Sequence, residues 1–399
     1  MLLCWISHAQ MRRHLIVSIT FCFLVFVYIG ISLQIKSTRK YSLRDESIHN
    51  WTLSKRNTHR LKILFAKYGL LLNLTKLKTN SNTTKTMIYS CQSFCGGWGD
   101  RLRGILSAYV LALVTDRHFM IDMNYPCQIT KVIEPNFVNW TMIHSKQPNR
   151  TRLNINTMRS YQLTYRGYIT RLIHFENFTQ IWSAYDDIYL STNLDYMRLV
   201  FHNKHMSKKI QELFGRLPVS QLTIEKSFAF FFELLFKPSI AVEQRVNSIL
   251  YSSIHRELIC FHIRIGKNPT NPFDAVFTSR VNMTRAMIDF TDRYLQTRNS
   301  SLVFVTSDSG QAISQVLNHY SNSSMTIVGP ILHIDRFNRR SSAVCDGFVK
   351  VLADFYLLGE CQTSLISKSG FSMSANRRRI HANENLYIFN EKVRQIRKV

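Results

Sequence analysis

His262 and Arg264 stand two residues apart at the end of the apolar run Leu258-Ile259-Cys260-Phe261. Side chains alternate along a strand, so the two leave on the same face. Gly266 and the Lys267-Asn268-Pro269 stretch then break the strand into a loop. A permanently charged guanidinium in that place suits a bidentate grip on a diphosphate, and open α/β sheets bind ligands at the carboxyl ends of their strands. Two later strand-like runs also end in polar groups. Residues 302–306 run into Ser307-Asp308-Ser309-Gly310, and residues 364–366 run into Ser367-Lys368-Ser369-Gly370-Phe371-Ser372. If the strands are parallel, the three ends converge on one edge. Asp308, as an acceptor-only carboxylate, could take two N–H groups from a guanine edge. The serines and the glycine backbone could line a diphosphate. Each feature alone is more often a turn or a helix cap, but three in order favour a nucleotide site.

A second constellation lies earlier, in Gly96-Gly97-Trp98-Gly99-Asp100-Arg101-Leu102-Arg103-Gly104. It follows a short strand at 87–89 and precedes a helix at 105–115 and a strand at 118–122, which is a unit of α/β folds. Gly97 and Gly99 permit close backbone approaches, and Asp100 is placed to cap the helix. The helix N-terminus then offers N–H groups to an anion or a polar sugar. A tight structural turn explains the same glycines equally well. The run is neither a Walker P-loop nor a Gly-x-Gly-x-x-Gly fingerprint.

Those loops need a scaffold, and the 399-residue chain is long enough for two domains with substantial cores. At 45% hydrophobic and 19% charged residues it is globular. The formal charge of +26 is spread along the chain, which suits an anionic donor, acidic glycans or membrane headgroups as well as it suits nucleic acid. The run from Leu15 to Ile35 carries no charge and matches the hydrocarbon thickness of a bilayer, with no cleavage pattern after it. Positive charges after it outnumber those before it, which opposes a luminal body. Nine sequons, at Asn50, Asn73, Asn82, Asn139, Asn149, Asn177, Asn282, Asn299 and Asn322, require one. Their density decides the orientation and excludes nucleic acid as partner. Six cysteines fall in the body: Cys91, Cys95, Cys127, Cys260, Cys345 and Cys361. Disulfides are expected in that compartment, with pairing open. Cys91-x3-Cys95 lacks the second ligand pair that zinc needs, and Cys260, inside a buried strand, reads as a core thiol. Asp186-Asp187 lacks Asp-x-Asp spacing and reads as solvated turn carboxylates.

The expected organisation is a cytosolic tail (1–14), a transmembrane anchor (15–35), a stem (36–85), an acceptor-side α/β domain (86–238) and a nucleotide-sugar-binding domain (239–399). In the first domain, helices are expected near 194–201 and 207–217. In the second, helices at 240–251, 278–298, 311–319 and 343–358 alternate with strands at 302–306, 326–328 and 364–366, the last of the series. This is a Rossmann-like parallel domain.

Taken together, the motifs resemble those of the GDP-fucose-dependent fucosyltransferase superfamily, which includes α1,2-, α1,6- and protein O-fucosyltransferases and the nodulation and plant xyloglucan enzymes. Gly96-Gly97-Trp98-Gly99-Asp100-Arg101 is similar to the Gly-Gly-x-Gly-Asn/Asp start of the α1,2 and plant branches. Residues 113–117 with Ile121-Asp122 resemble the helix and strand that follow it in plant enzymes. His262-Ile263-Arg264 resembles the His-x-Arg motif, although Ile265 stands where a second Arg is common. Thr306-Ser307-Asp308-Ser309 and Ser369-Gly370-Phe371-Ser372 resemble the two later motifs. The resemblance covers residues 87–380. It implies a GT-B-like pair of Rossmann-like domains facing a cleft, a type II Golgi membrane enzyme, and inverting transfer from GDP-fucose to a glycan or glycoprotein without a metal or other cofactor. Carried over, Arg264 holds the diphosphate and His262 the nucleotide, Asp308 reads guanine, and Ser369 to Ser372 line the phosphates. Gly97, Gly99, Arg101, Gly266 and Ser307 complete the donor site. Asp100 is the first choice for the general base and Asp274 the second. The competing readings are a luminal sulfotransferase, which the Gly96–Gly104 loop suits poorly, and a glycan-binding protein that keeps the fold without turnover.

Overall fold

The computed structural model describes residues 51–68, 84–142, 149–158, 163–215, 218–266, 276–295, 300–335 and 343–399. The expected tail and anchor, and Asp274, lie outside them. No helix among the described residues is long and apolar enough to cross a membrane.

Two parallel sheets carry the fold. The first is ordered β2-β1-β5-β4 and contains β1 (Thr86–Cys91), β2 (His118–Met123), β4 (Arg152–Asn156) and β5 (Asp187–Ser191), each pair parallel. β3 (Ile133–Pro135) and β6 (Phe236–Pro238) form a separate antiparallel pair. The second sheet is ordered β12-β11-β10-β7-β8-β9. It comprises β7 (Glu257–Ile263), β8 (Ser301–Ser307), β9 (Ser324–Met325), β10 (Thr363–Ile366), β11 (Leu386–Asn390) and β12 (Gln395–Lys398). All its pairs are parallel except β11 with β12.

The central strands β7, β8 and β10 are continuous apolar runs because both sheet faces are covered, and they fall where the sequence puts them. The edges are harder to read. β4 is Arg-Leu-Asn-Ile-Asn with one buried residue, so its alternation carries little apolar signal. β11 and β12 follow the strand expected to be last, and that expectation is corrected. The strand expected at 326–328 is instead Ser324–Met325. Val328 is 85% exposed there, so its β-branched run marks no buried position.

The helices follow in chain order as α1 (Leu53–Tyr68), α2 (Trp98–Val114), α3 (Leu163–Phe175), α4 (Phe178–Ile181), α5 (Met197–His202), α6 (Ser207–Phe214), α7 (Ile224–Leu235), α8 (Ile240–Ser252), α9 (Met283–Leu295), α10 (Gly310–His319), α11 (Val344–Leu358) and α12 (Gly370–Arg377). Helix α2 joins β1 to β2, and its Gly104 lies so close to the Thr192 carbonyl that no Cβ fits between them.

Three disulfides link Cys91 to Cys95, Cys127 to Cys345 and Cys260 to Cys361. The reading of Cys260 as a free core thiol is therefore corrected. A buried strand hides a cysteine whether or not it is paired, and Cys361 reaches it from the turn between α11 and β10.

Helix α1 comes from the polar stretch expected to form a stem, yet it docks on the body. Leu53 and Leu64 are buried, and Arg60 forms ion pairs with Glu233 at 3.1 Å and Glu360 at 2.6 Å. Arg378 pairs with the same Glu233 at 2.8 Å. Two guanidiniums thus converge on one fully buried carboxylate, and removing it would leave both to share Glu360 alone in a low dielectric. Glu233→Ala is expected to lower unfolding free energy by about 3–5 kcal/mol in urea titrations, whereas a loss below about 1 kcal/mol would show that the cluster balances its own desolvation.

Candidate functional site

In the second sheet, His262 lies level with Thr306 on one side and Ile366 on the other. The residues just beyond these three therefore leave the sheet at one edge. Facing them across a cleft of about 310 Å³ is the Gly97-Trp98-Gly99-Asp100 turn that opens α2. A Cβ added to Gly99 would lie 2.4 Å from the Gly370 carbonyl carbon and oxygen. The N-termini of α2 and α12 thus meet backbone to backbone. Gly96, at φ +83, makes the turn that permits this.

Arg264 and Asp308 pair at the rim of the cleft. Asp308 also accepts the Ile265 N–H at 2.9 Å and the Gly266 N–H at 2.8 Å, one on each oxygen. It therefore clamps the loop that carries Arg264 and fixes the guanidinium's direction. Arg280 supports the same loop by donating to the Arg264 carbonyl at 3.1 Å, and is itself held by Glu391 at 2.7 Å. That contact pulls the Glu391 carboxyl below the usual range, with hydrogen bonds from Arg280 and then Ser279 as the leading causes.

His262 is buried, its Nδ1 lying 3.0 Å from Ser367 Oγ and its ring 5.4 Å from that of Phe371. Ser367 Oγ also accepts the Arg264 N–H at 3.2 Å, so one hydroxyl ties the ring to the loop that carries Arg264. Burial, then the charges of Arg264 and Arg280, hold the His262 pKa down at about 3, so the ring is neutral at physiological pH.

Of the residues singled out in the sequence, Gly97, Gly99, Asp100, His262, Arg264, Ser307, Asp308, Ser369, Gly370 and Phe371 line the cleft. Asp100 accepts the Gly97 N–H at 3.2 Å and pairs with Arg103. Ser369 caps α12 by accepting the Phe371 N–H at 3.3 Å. Gly266, Ser372 and Arg101 stand behind the walls. Ser372 Oγ donates to the Ser367 carbonyl at 3.0 Å. Arg101 is fully buried and donates to the Gly96, Tyr125 and Ile334 carbonyls, tying the glycine turn to the loop before α11. Asp186 and Asp187 are engaged with Thr151 and Arg150, far along the chain from this edge.

The structure adds residues that the sequence reading passed over: His333, Lys350 and Asp354 also line the cleft. Lys350 Nζ lies 2.7 Å from Asp354 Oδ2, and Thr306 Oγ1 donates to that same oxygen at 2.8 Å. Asp354 Oδ1 is buried and has no hydrogen-bond partner among the described residues. The available signal was three charges at four-residue spacing, Asp346, Lys350 and Asp354, within an otherwise apolar helix. Among the described residues no three His, Cys, Asp or Glu side chains gather as a metal set.

No protein-family model matches the chain, and no curated protein matches it by sequence. By shape, a single-substitution variant of Arabidopsis thaliana FUT1 in complex with GDP aligns with a TM-score of 0.53. The alignment covers 84% of this chain and 78% of that one at 14% identity. The chain shares its fold with that protein. Fucosyltransferase NodZ from Bradyrhizobium (TM-score 0.46, 13% identity, 77% and 96% coverage) is similar too, as is POFUT1 in complex with GDP (0.44, 12%, 77% and 100%). At those scores neither adds to the fold assignment.

Two predictions follow from the geometry of this fold's cleft. Gly99→Ala forces a methyl group into backbone that no side-chain rotation can clear, and is expected to cost about 1–3 kcal/mol in thermal unfolding; unchanged stability would mean the two helix ends do not touch. For His262, the unfolded ring takes up a proton near its ordinary value of 6.5 while the folded ring resists until about 3. Its contribution is intact above the unfolded value and erodes as pH falls through that window, by at most about 1.4 kcal/mol per pH unit. His262→Gln should flatten the acid limb of stability against pH by that slope.

Proposed function

We propose that the cleft binds GDP-fucose and that the protein is a glycosyltransferase moving fucose to a glycan or glycoprotein acceptor. The observation that carries this reading is the convergence of Arg264 and the N-termini of α2 and α12 on one cleft, in a fold shared with FUT1, which is seen with GDP.

The chemistry follows from the geometry. As the glycosidic bond breaks, the leaving diphosphate gains negative charge. Arg264, held in place by Asp308, meets that charge with a fixed cation, and the α12 N-terminus adds backbone N–H donors. Positive groups that are already oriented need no reorganisation in the transition state, which supports transfer without a metal. The neutral His262 adds no second charge beside Arg264. For the guanine, Asp308 has its oxygens engaged by two backbone N–H groups and Arg264, while Asp354 keeps one oxygen without a partner. We therefore assign to Asp354 the acceptance of the guanine N–H groups. Asp100, on the opposite wall, is the carboxylate from which an acceptor hydroxyl could lose its proton. Attack from that wall while GDP departs toward Arg264 gives inversion in a single displacement. The nine sequons and three disulfides support a body in the secretory lumen, and the run from Leu15 to Ile35 supports a Golgi type II anchor in the bilayer.

The test uses the purified full chain without added metal. GDP and GDP-fucose should raise its melting temperature, and UDP and the sulfate donor's nucleotide should not. Arg264→Ala, still folded by circular dichroism, should lose transfer by about a hundred- to a thousandfold. Full transfer by that variant would sink the assignment, and binding of GDP-fucose without turnover on any acceptor would favour a glycan-binding role.

A further inference from the structure

Lys350 has no place in the transfer chemistry above, yet it sits at the donor cleft with almost no solvent exposure. It is 3% exposed and its partner Asp354 is 5% exposed. Burying an ammonium is costly unless it is paired, so the pair calls for an account beyond packing. The two hydrogen bonds to Asp354 both fall on Oδ2, from Lys350 on the same helix and from Thr306 on β8. This fixes the plane of the carboxylate and leaves Oδ1 as the one oxygen without a protein donor.

What Oδ1 can recognise depends on whether the carboxyl is ionised. Ionised, it only accepts, and it suits guanine, whose N1 and exocyclic N2 both carry hydrogen. Protonated, the group can also donate, and it would then suit adenine, whose N1 is an acceptor. Burial pushes the Asp354 carboxyl toward the protonated form, and the Lys350 ammonium is the leading influence against that. The other charged and titratable groups around the cleft are already engaged. On α8, Arg245 pairs with Asp346; at the β7 and β8 ends, Arg264 pairs with Asp308; on α2, Arg103 pairs with Asp100. At the end of α12, Arg377 pairs with Glu225, and Arg378, just beyond it, with Glu233. His262 contributes no charge near neutrality, and His333 Nδ1 accepts the Asp335 N–H at 3.3 Å.

We infer that Lys350 is a specificity-positioning residue: its ammonium holds Asp354 as an acceptor-only group, so that the cleft selects guanine over adenine nucleotides. The inference rests on the base-reading role assigned to Asp354 above, and its test separates the two. In the full chain, Lys350→Met and Lys350→Gln are compared with Asp354→Asn and with the Lys350→Met/Asp354→Asn double variant. Calorimetry measures GDP and ADP binding between about pH 6 and about pH 9, and infrared spectroscopy follows the protonated-carboxyl band without any ligand.

Either lysine variant should bind GDP about tenfold more weakly than the parent near pH 6, with affinity returning as pH rises and the carboxyl ionises. ADP binding should improve as GDP binding weakens. The infrared band should appear near neutral pH in Lys350→Met and vanish in the double variant. A lysine variant with the parent's pH profile and no such band overturns the inference while leaving Asp354 as the base reader. Asp354→Asn with an unchanged preference for GDP over ADP overturns it from the other side, because the base is then read elsewhere, whatever the infrared band shows.

Discussion

The contact between Gly99 and the Gly370 backbone is the constraint from which the rest of the site takes its shape. Two helix N-termini from different sheets can abut only where one residue has no side chain, and α2 supplies that residue in its first turn. Because main chain meets main chain, the distance between the walls is set by covalent geometry, with no rotamer to adjust it. The buried Arg101 and the Cys127–Cys345 disulfide hold the same two halves from further out. The cleft is therefore a consequence of how the sheets are joined, and its polar groups are arranged around a gap of fixed width.

Within that gap, charge is managed by pairing. Arg264 would be expensive to hold at a half-covered sheet edge without a partner, and Asp308 offsets it while also gathering the Ile265 and Gly266 amides. Lys350 and Asp354 repeat the device one wall deeper. The cleft presents oriented donors and one unpartnered acceptor, the pattern expected for a ligand that combines a diphosphate with a base bearing N–H groups. Although the chain carries a formal charge of +26, the cleft uses few cations, each tied down by a carboxylate.

The sequence was most legible where physics is most local. β7, β8 and β10 are apolar runs ended by polar turns, so the strand ends and their convergence could be read directly. The glycine turn of α2 was equally plain. The first sheet was not, because β4 is a solvated edge strand and β5 begins at Asp187, which with the preceding Asp186 is occupied by Arg150 and Thr151. The docking of α1 was hidden because its anchor is Arg60 meeting Glu233 and Glu360, and such a residue in isolation reads as surface. Lys350 and Asp354 were passed over for a related reason. Their charges were visible in the apolar sequence of α11, but the hydrogen bond from Thr306, which approaches from β8, was not.

The Cys260–Cys361 disulfide spans 101 residues and joins the turn ahead of β10 to the strand that ends in His262 and Arg264. Every wall of the cleft nearest the donor side depends on this late segment, since Ser367 sets the His262 ring and Gly370 meets Gly99. During synthesis, then, the first sheet can be complete while the cleft does not yet exist. It closes only when the end of the chain has been delivered, so any chain that stops short of α12 carries most of the site's side chains and lacks the backbone that holds its walls together.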